Sequence, residues 1–168
     1  NQLNYSIDSL PPTVSIAFNP AYPPVMPNGQ NLWYKTNVGI TITGNDGVGG
    51  SGIKYDYYRT NVDGAGWSGW ISSIQAPPAT QSYPFSDTIL NEGVIDIQYK
   101  AEDNIGNTSA TPISTIKIDK TPPTQPILDA LSSPTNSMTI TLNWAEGQSS
   151  DATSGLAGYN IYRRENAG

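Results

Sequence analysis

The side chains of this 168-residue chain that could do chemistry are carboxylates and carboxamides in loops, because the chain has no His and no Cys. Imidazole bases, thiolate nucleophiles, disulfides and the usual zinc or copper ligands are therefore excluded. What remains is hard oxygen chemistry. The phrase "GNDGVGGSG" puts Asp46 in one Gly-rich loop, and "AEDNIGN" puts Asp103, Asn104 and Asn107 in another. A further carboxylate, Asp8, stands in "IDSLPPT" near the front of the chain. Oxygens of Asp, Asn and backbone carbonyls, converging from these segments, suit Ca²⁺. The same residue types also cap turns through side-chain-to-backbone bonds, and a buried Asp ties two loops together with no metal. No EF-hand is present, since "DGVGGSG" lacks its ligand spacing.

Two other sets of residues carry possible chemistry. Tyr55, Tyr57 and Tyr58 lie in "IKYDYYR", and Trp67 and Trp70 in "GWSGW". Aromatic rings on a flat sheet can stack on the apolar C–H faces of sugars. Alternate residues of a strand face opposite ways, so Tyr57 and Tyr58 cannot share a platform and one belongs to the core. The candidate ligand-binding pair is Tyr58 with Trp67; Trp70 reads as a core or hairpin anchor. The third set is Asp56, Glu92, Asp96 and Glu102. A glycosidase needs two carboxyls facing one cleft, about 5 or 7–9 Å apart. Asp56 and Asp96 fall within strands facing solvent, and nothing makes the set converge. No nucleophile elbow or phosphate loop appears. A Lys–Asn crosslink through Lys35 or Lys54 beside Glu102 finds no support in the spacing. No catalysis is expected from this chain.

The elements that position these residues are short strands. Val14, Ile16 and Phe18 alternate with polar or small neighbours, as do Val38, Ile40 and Ile42 within "TNVGITITG". "IKYDYYR" places Ile53, Tyr55 and Tyr57 on one face. Trp70 and Ile71, "YPFSDTIL", "GVIDIQYKA" (with Ile95, Ile97 and Tyr99 in phase) and "ATPISTIKI" complete about seven strands over roughly 105 residues, the pattern of an antiparallel β-sandwich. The Pro-rich stretch Asn19 to Gln30 cannot be a central strand. With 16 Gly, 14 Pro and 10 Tyr, composition favours turns and strands, and no helical period is present. A net charge of −6 with no basic cluster makes nucleic acid and anionic lipid poor partners. No apolar run approaches the roughly 20 residues that span a bilayer.

In this order, "ITITGNDGVGGSGIKYDYYR", "GWSGW", "GVIDIQYKAEDNIGNTS" and "IKIDKTPPT" resemble one bacterial immunoglobulin-like repeat over residues 11–119. Such repeats occur in tandem on large secreted and cell-surface proteins. "IDSLPPT" and "IDKTPPT" then read as successive junctions, matching Ile7 to Ile118, Asp8 to Asp119, Pro11 to Pro122, Pro12 to Pro123 and Thr13 to Thr124. Residues 1–10 are expected to be the last strand and linker of a preceding repeat. The Pro pair stiffens the link by favouring an extended conformation. Residues 120–168, with Met138, Ile140, Leu142 and Trp144 alternating and then "SGLAGYNIYRR", resemble a fibronectin type III module. They would supply about three of the seven strands such a sandwich needs, a partial second β-sandwich with Trp144 as its core Trp. Its open apolar face needs the missing strands or a partner chain.

The resemblance implies an extracellular location and an immunoglobulin-like fold in which both acidic loops lie at one end, beside the incoming linker. Asp8, Asp46, Asp103 and Asn107 would then hold Ca²⁺ as in the cation-stiffened junctions of tandem adhesion repeats, with "DATSGL" (Asp151) as a related loop in the next module. The expected function is a non-catalytic spacer that positions neighbouring domains of the same chain. The competing class is a carbohydrate- or protein-binding module, for a polysaccharide or a host or cell-surface protein. A third is the accessory region of a secreted polysaccharide-degrading enzyme.

Overall fold

The computed structural model describes residues 7–20, 32–130, 139, 141–144 and 149–162. Most of the assigned preceding strand (1–6), the centre of the Pro-rich stretch (21–31), Met138, Ile140 and Arg163 lie outside the described residues. The chain divides into two compact units, Asn1–Lys120 and Thr121–Gly168.

The first unit is an antiparallel β-sandwich. Its strands are β1 (Thr13–Asn19), β2 (Val38–Asn45), β3 (Ile53–Val62), β4 (Ile71–Ser72), β5 (Ser82–Ile89), β6 (Gly93–Asp103) and β7 (Ile113–Ile118). One sheet has the order β1-β2-β5 and the other β4-β3-β6-β7. Alternation builds the core directly. Val38, Ile40 and Ile42 point inward from β2, and Ile95, Ile97, Tyr99 and Ala101 from β6, all buried. Ile116 and Ile118 of β7 complete the same layer, while Val14, Ile16 and Phe18 of β1 pack partly buried against it. Pro84, which has no N–H to give a ladder, sits in edge strand β5. Tyr34 runs parallel to Ile118, taking an N–H bond to Lys117 O (2.8 Å), and so covers the outer edge of β7.

One strand departs from simple alternation. The register of β3 against β6 shifts between Ile53 and Tyr55. A bulge of this kind moves every following side chain to the opposite face. Ile53 is buried, but beyond the bulge it is Asp56 and Tyr58 that point inward, while Tyr55 and Tyr57 point outward. The expected shared face for Ile53, Tyr55 and Tyr57 is therefore broken at Lys54. Asp56, read from sequence as solvent-facing, is wholly buried. It is accommodated because Gly44 of the facing sheet has no side chain: a Cβ there would lie 2.5 Å from Asp56 Oδ1 and 2.8 Å from Ala101 Cβ.

The register also fixes the two poles of the sandwich. Thr13 at the start of β1 pairs with Asn45 at the end of β2, and Ile53 at the start of β3 pairs with Asp103 at the end of β6. The chain before β1, the 46–52 loop and the 104–112 loop therefore share one pole. At the other, Val38 pairs with Ile89 and Gly93 with Ile118, so the chain leaves β7 beside the start of β2 and the β5–β6 loop. The 8 residues of β2 separate the poles by about 26 Å.

In the second unit, the described residues form no strand; Leu128 and Trp144 make a single antiparallel bridge. Trp144 and Tyr159 rings meet at 5.8 Å, while Ile161 and Tyr162 are exposed. The strands expected around Trp144 and over 154–162 are thus absent from the described residues. An alternating segment becomes a strand only against a hydrogen-bonding neighbour, and one or two unpaired strands are marginal in water.

Candidate functional site

The acidic loops meet at the incoming pole. Carboxylate oxygens of Asp8, Asp46 and Asp103 all lie within 4.8 Å of one another. Each arrives by a different route. Asp8 is carried by the segment before Pro11 and Pro12, and Pro12 is buried. Its Oδ2 accepts the Ser51 N–H (2.6 Å) and its Oδ1 the Leu10 N–H (3.2 Å), so it joins the linker to the 46–52 loop. Asp46 opens that loop and closes it, accepting the Gly52 N–H at 2.6 Å. Gly52 takes φ +89, a left-handed conformation that disfavours any residue with a Cβ. Asp103 ends β6 and is fully buried. Its Oδ1 accepts the N–H groups of Ile105 (3.0 Å) and Asn107 (2.8 Å).

Asn107 lies in the same loop, and its Nδ2 donates to Asp103 Oδ2 at 2.8 Å, so it orients that carboxylate. Asn104 spans the two loops, donating from Nδ2 to Ser51 O (2.9 Å) and Gly52 O (3.1 Å).

The electrostatics are one-sided. The Ser51 and Leu10 N–H groups hold the Asp8 carboxyl below its usual range. Burial pushes Asp46 above it, with the charges of Asp8 and Asp103 adding to the effect. Asp46 Oδ1 is sealed from solvent and has no hydrogen-bond partner among the described residues. Among the described residues the ion pairs are Lys54–Glu102 and, at the opposite pole, Lys120–Glu92, and neither involves the cluster. Like charges so close need a proton or a cation between them. Two oxygens on one Ca²⁺ at 2.3–2.6 Å lie at most about 5 Å apart, which the cluster meets.

The outer face of the larger sheet corrects the aromatic assignment. Tyr58 is buried at 4% exposure, and its hydroxyl donates to Asp87 Oδ2 at 2.6 Å. It belongs to the core, placed there by the bulge, and cannot meet a ligand. Trp67 does lie on the surface, and so does Trp70, which sequence reading placed in the core or as an anchor. Arg59 lies between their rings, 5.0 Å from the Trp67 centroid and 4.6 Å from that of Trp70. Lys100 lies between Trp70 (5.0 Å) and Tyr57 (4.9 Å). The i, i+2 spacing of Tyr55, Tyr57 and Arg59 was the available signal for this row; Lys100, brought opposite Tyr57 by strand pairing, had none.

Asp56, Asp96 and Glu102 are each engaged separately and do not face one another across a cleft. Asp56 is sealed between the sheets, Asp96 accepts Thr115 Oγ1 (2.6 Å), and Glu102 is engaged by Lys54 and Tyr57. Asp151 in the second unit accepts the N–H groups of Thr153 and Ser154, both at 3.0 Å, which is turn chemistry. Comparison with protein-family models, curated proteins and solved structures gives no match to this chain.

Proposed function

We propose that residues 7–120 form an extracellular, immunoglobulin-like spacer, without catalysis of its own, that holds neighbouring domains of a larger chain at a fixed separation. The observation that carries this reading is that the chain is fastened at both poles of the sandwich. The incoming segment is pinned by Asp8 to Ser51 and the acidic loops. The outgoing segment is pinned twice: Asp119 N–H donates to Tyr34 O (2.8 Å), and Lys120 Nζ donates to Leu90 O (2.8 Å) and Asn37 Oδ1 (2.9 Å). A module fastened at opposite ends transmits position and load through its folded body, which is what a tandem spacer requires.

Ca²⁺ is the cation that the donor set at the incoming pole suits, because every side-chain donor there is oxygen. An ion bound only by the folded state raises the unfolding midpoint by mass action. Ca²⁺ at about a hundredfold excess over its Kd should raise the midpoint by roughly 10 °C relative to EDTA. Asp46→Asn, which keeps an acceptor for the Gly52 N–H, should abolish the rise. An unchanged midpoint in Ca²⁺ would mean that the cluster is neutralised by a proton and that the linker is locked by hydrogen bonds alone.

A further inference from the structure

We infer that the outer face of β3, β4 and β6 binds an extended acidic polysaccharide, with Trp67 meeting a sugar ring and Arg59 and Lys100, held beside Trp70, meeting its carboxylates. This goes beyond the spacer reading and is independent of it, since no residue of the acidic cluster takes part.

Charge and shape together select the occupant. The chain is acidic, with net charge −6, yet this face carries a row in which cations and rings alternate: Trp67, Arg59, Trp70, Lys100, Tyr57. The Glu102 carboxylate lies at one end of the row, engaged by Lys54 and the Tyr57 hydroxyl, and Asp96, farther along the same face of β6, accepts from Thr115 Oγ1. Arg59 and Lys100 have no carboxylate partner among the described residues. Arg59 directs its Nε to the neutral Gln98 Oε1 at 2.8 Å, which leaves the rest of the guanidinium fork for an anion. Both cations are held over ring faces, which fixes their positions and lowers the ordering cost of binding.

The rings are fixed as well. Ser68 N–H donates to Thr60 O (2.8 Å) and Thr60 N–H to Ser68 Oγ (3.0 Å), which closes the hairpin between the two Trp residues. Trp67 and Trp70 each remain 37% exposed. A flat row along a sheet, rather than a pocket, fits a linear polymer. A polyuronate presents an apolar C–H face and a carboxylate on every ring, matching a row that alternates apolar surface with cation.

The test is affinity electrophoresis of the full chain through gels containing polygalacturonate, its methyl-esterified form, or poly-glutamate. Retardation by polygalacturonate, with little by the ester, is expected. Lys100→Gln and Trp67→Ala should each weaken it about tenfold, and Lys100→Arg should retain it. Circular dichroism that matches the parent chain shows that a variant is folded; Lys100→Gln removes no core side chain and keeps the test decisive if Trp67→Ala does not fold. Absence of retardation at low salt overturns the inference. So does equal retardation by poly-glutamate, which would show charge attraction without sugar recognition, or full retention by folded Lys100→Gln.

Discussion

Asp56→Asn should stabilise the sandwich at neutral pH and leave it nearly unchanged in acid. Asp56 is wholly buried between the sheets. One oxygen accepts the Gly44 N–H at 3.2 Å, and the other has no hydrogen-bond partner among the described residues. Burial pushes its carboxyl from 3.8 up to about 6, the Gly44 bond only partly opposing it. The folded state therefore holds the proton more tightly than the unfolded chain. Below about pH 4 both states are protonated and the group costs nothing. Stability is lost as pH rises from about 4 through 6, and above that the loss is complete at about 2–3 kcal/mol. Asn has the same shape, keeps an acceptor for Gly44 and cannot ionise. The difference in denaturant midpoint between Asp56→Asn and the parent should be largest near pH 7.5 and close to zero at pH 4. A variant equally destabilised at both values would show that the second oxygen of Asp56 is hydrogen-bonded after all.

Asp103→Ala should be the most damaging single change at the incoming pole, and it should be so with or without a cation. The carboxylate is buried and accepts from three donors: Ile105 N–H, Asn107 N–H and Asn107 Nδ2. Removing it strands all of these donors and frees the loop that follows β6. Charge-assisted bonds of this kind contribute about 1.5–3 kcal/mol each without adding fully, so a loss of about 3–5 kcal/mol is expected. In a unit of this size that is about 15 °C or more in unfolding midpoint. The loss should appear in EDTA as well as in Ca²⁺. A loss confined to Ca²⁺ would make Asp103 only an ion ligand and not the staple of its loop.

The contrast between these two carboxylates shows what sequence could and could not convey. The strands were legible because Val38, Ile40 and Ile42, or Ile95, Ile97 and Tyr99, repeat with the period of the pleat. The two-sheet antiparallel sandwich follows from that pattern. The convergence of Asp8, Asp46 and Asp103 was expected only through the immunoglobulin-like resemblance, and the strand registers do bring their carriers to one pole. Local hydrogen bonding was not legible. That Asn107 donates its side-chain N–H to Asp103 could not be read from composition. Asp56 and Tyr58 were placed outside because a strict two-residue alternation was carried through Lys54. The bulge there arises from pairing with β6, a partner dozens of residues away. Lys100 and Lys120 owe their roles to long-range neighbours for the same reason. Around Trp144 the alternation was present, but a strand needs a run of paired neighbours, and among the described residues the pairing stops at the single Leu128–Trp144 bridge.

If the sandwich carries load between two fastened ends, pulling the full chain by its termini in a force-clamp instrument will reveal it. Asp8 and Lys120 should stay fixed until the first unit gives way in one step. That step should release about 350–400 Å, the extended length of the segment between them less its folded span. Asp8→Ala should shorten the step by about 20 Å, because the residues before β1 would already be extended. Absence of a single step of this size from the first unit, or a step unaffected by Asp8→Ala, would show that the sandwich does not carry load between fastened ends.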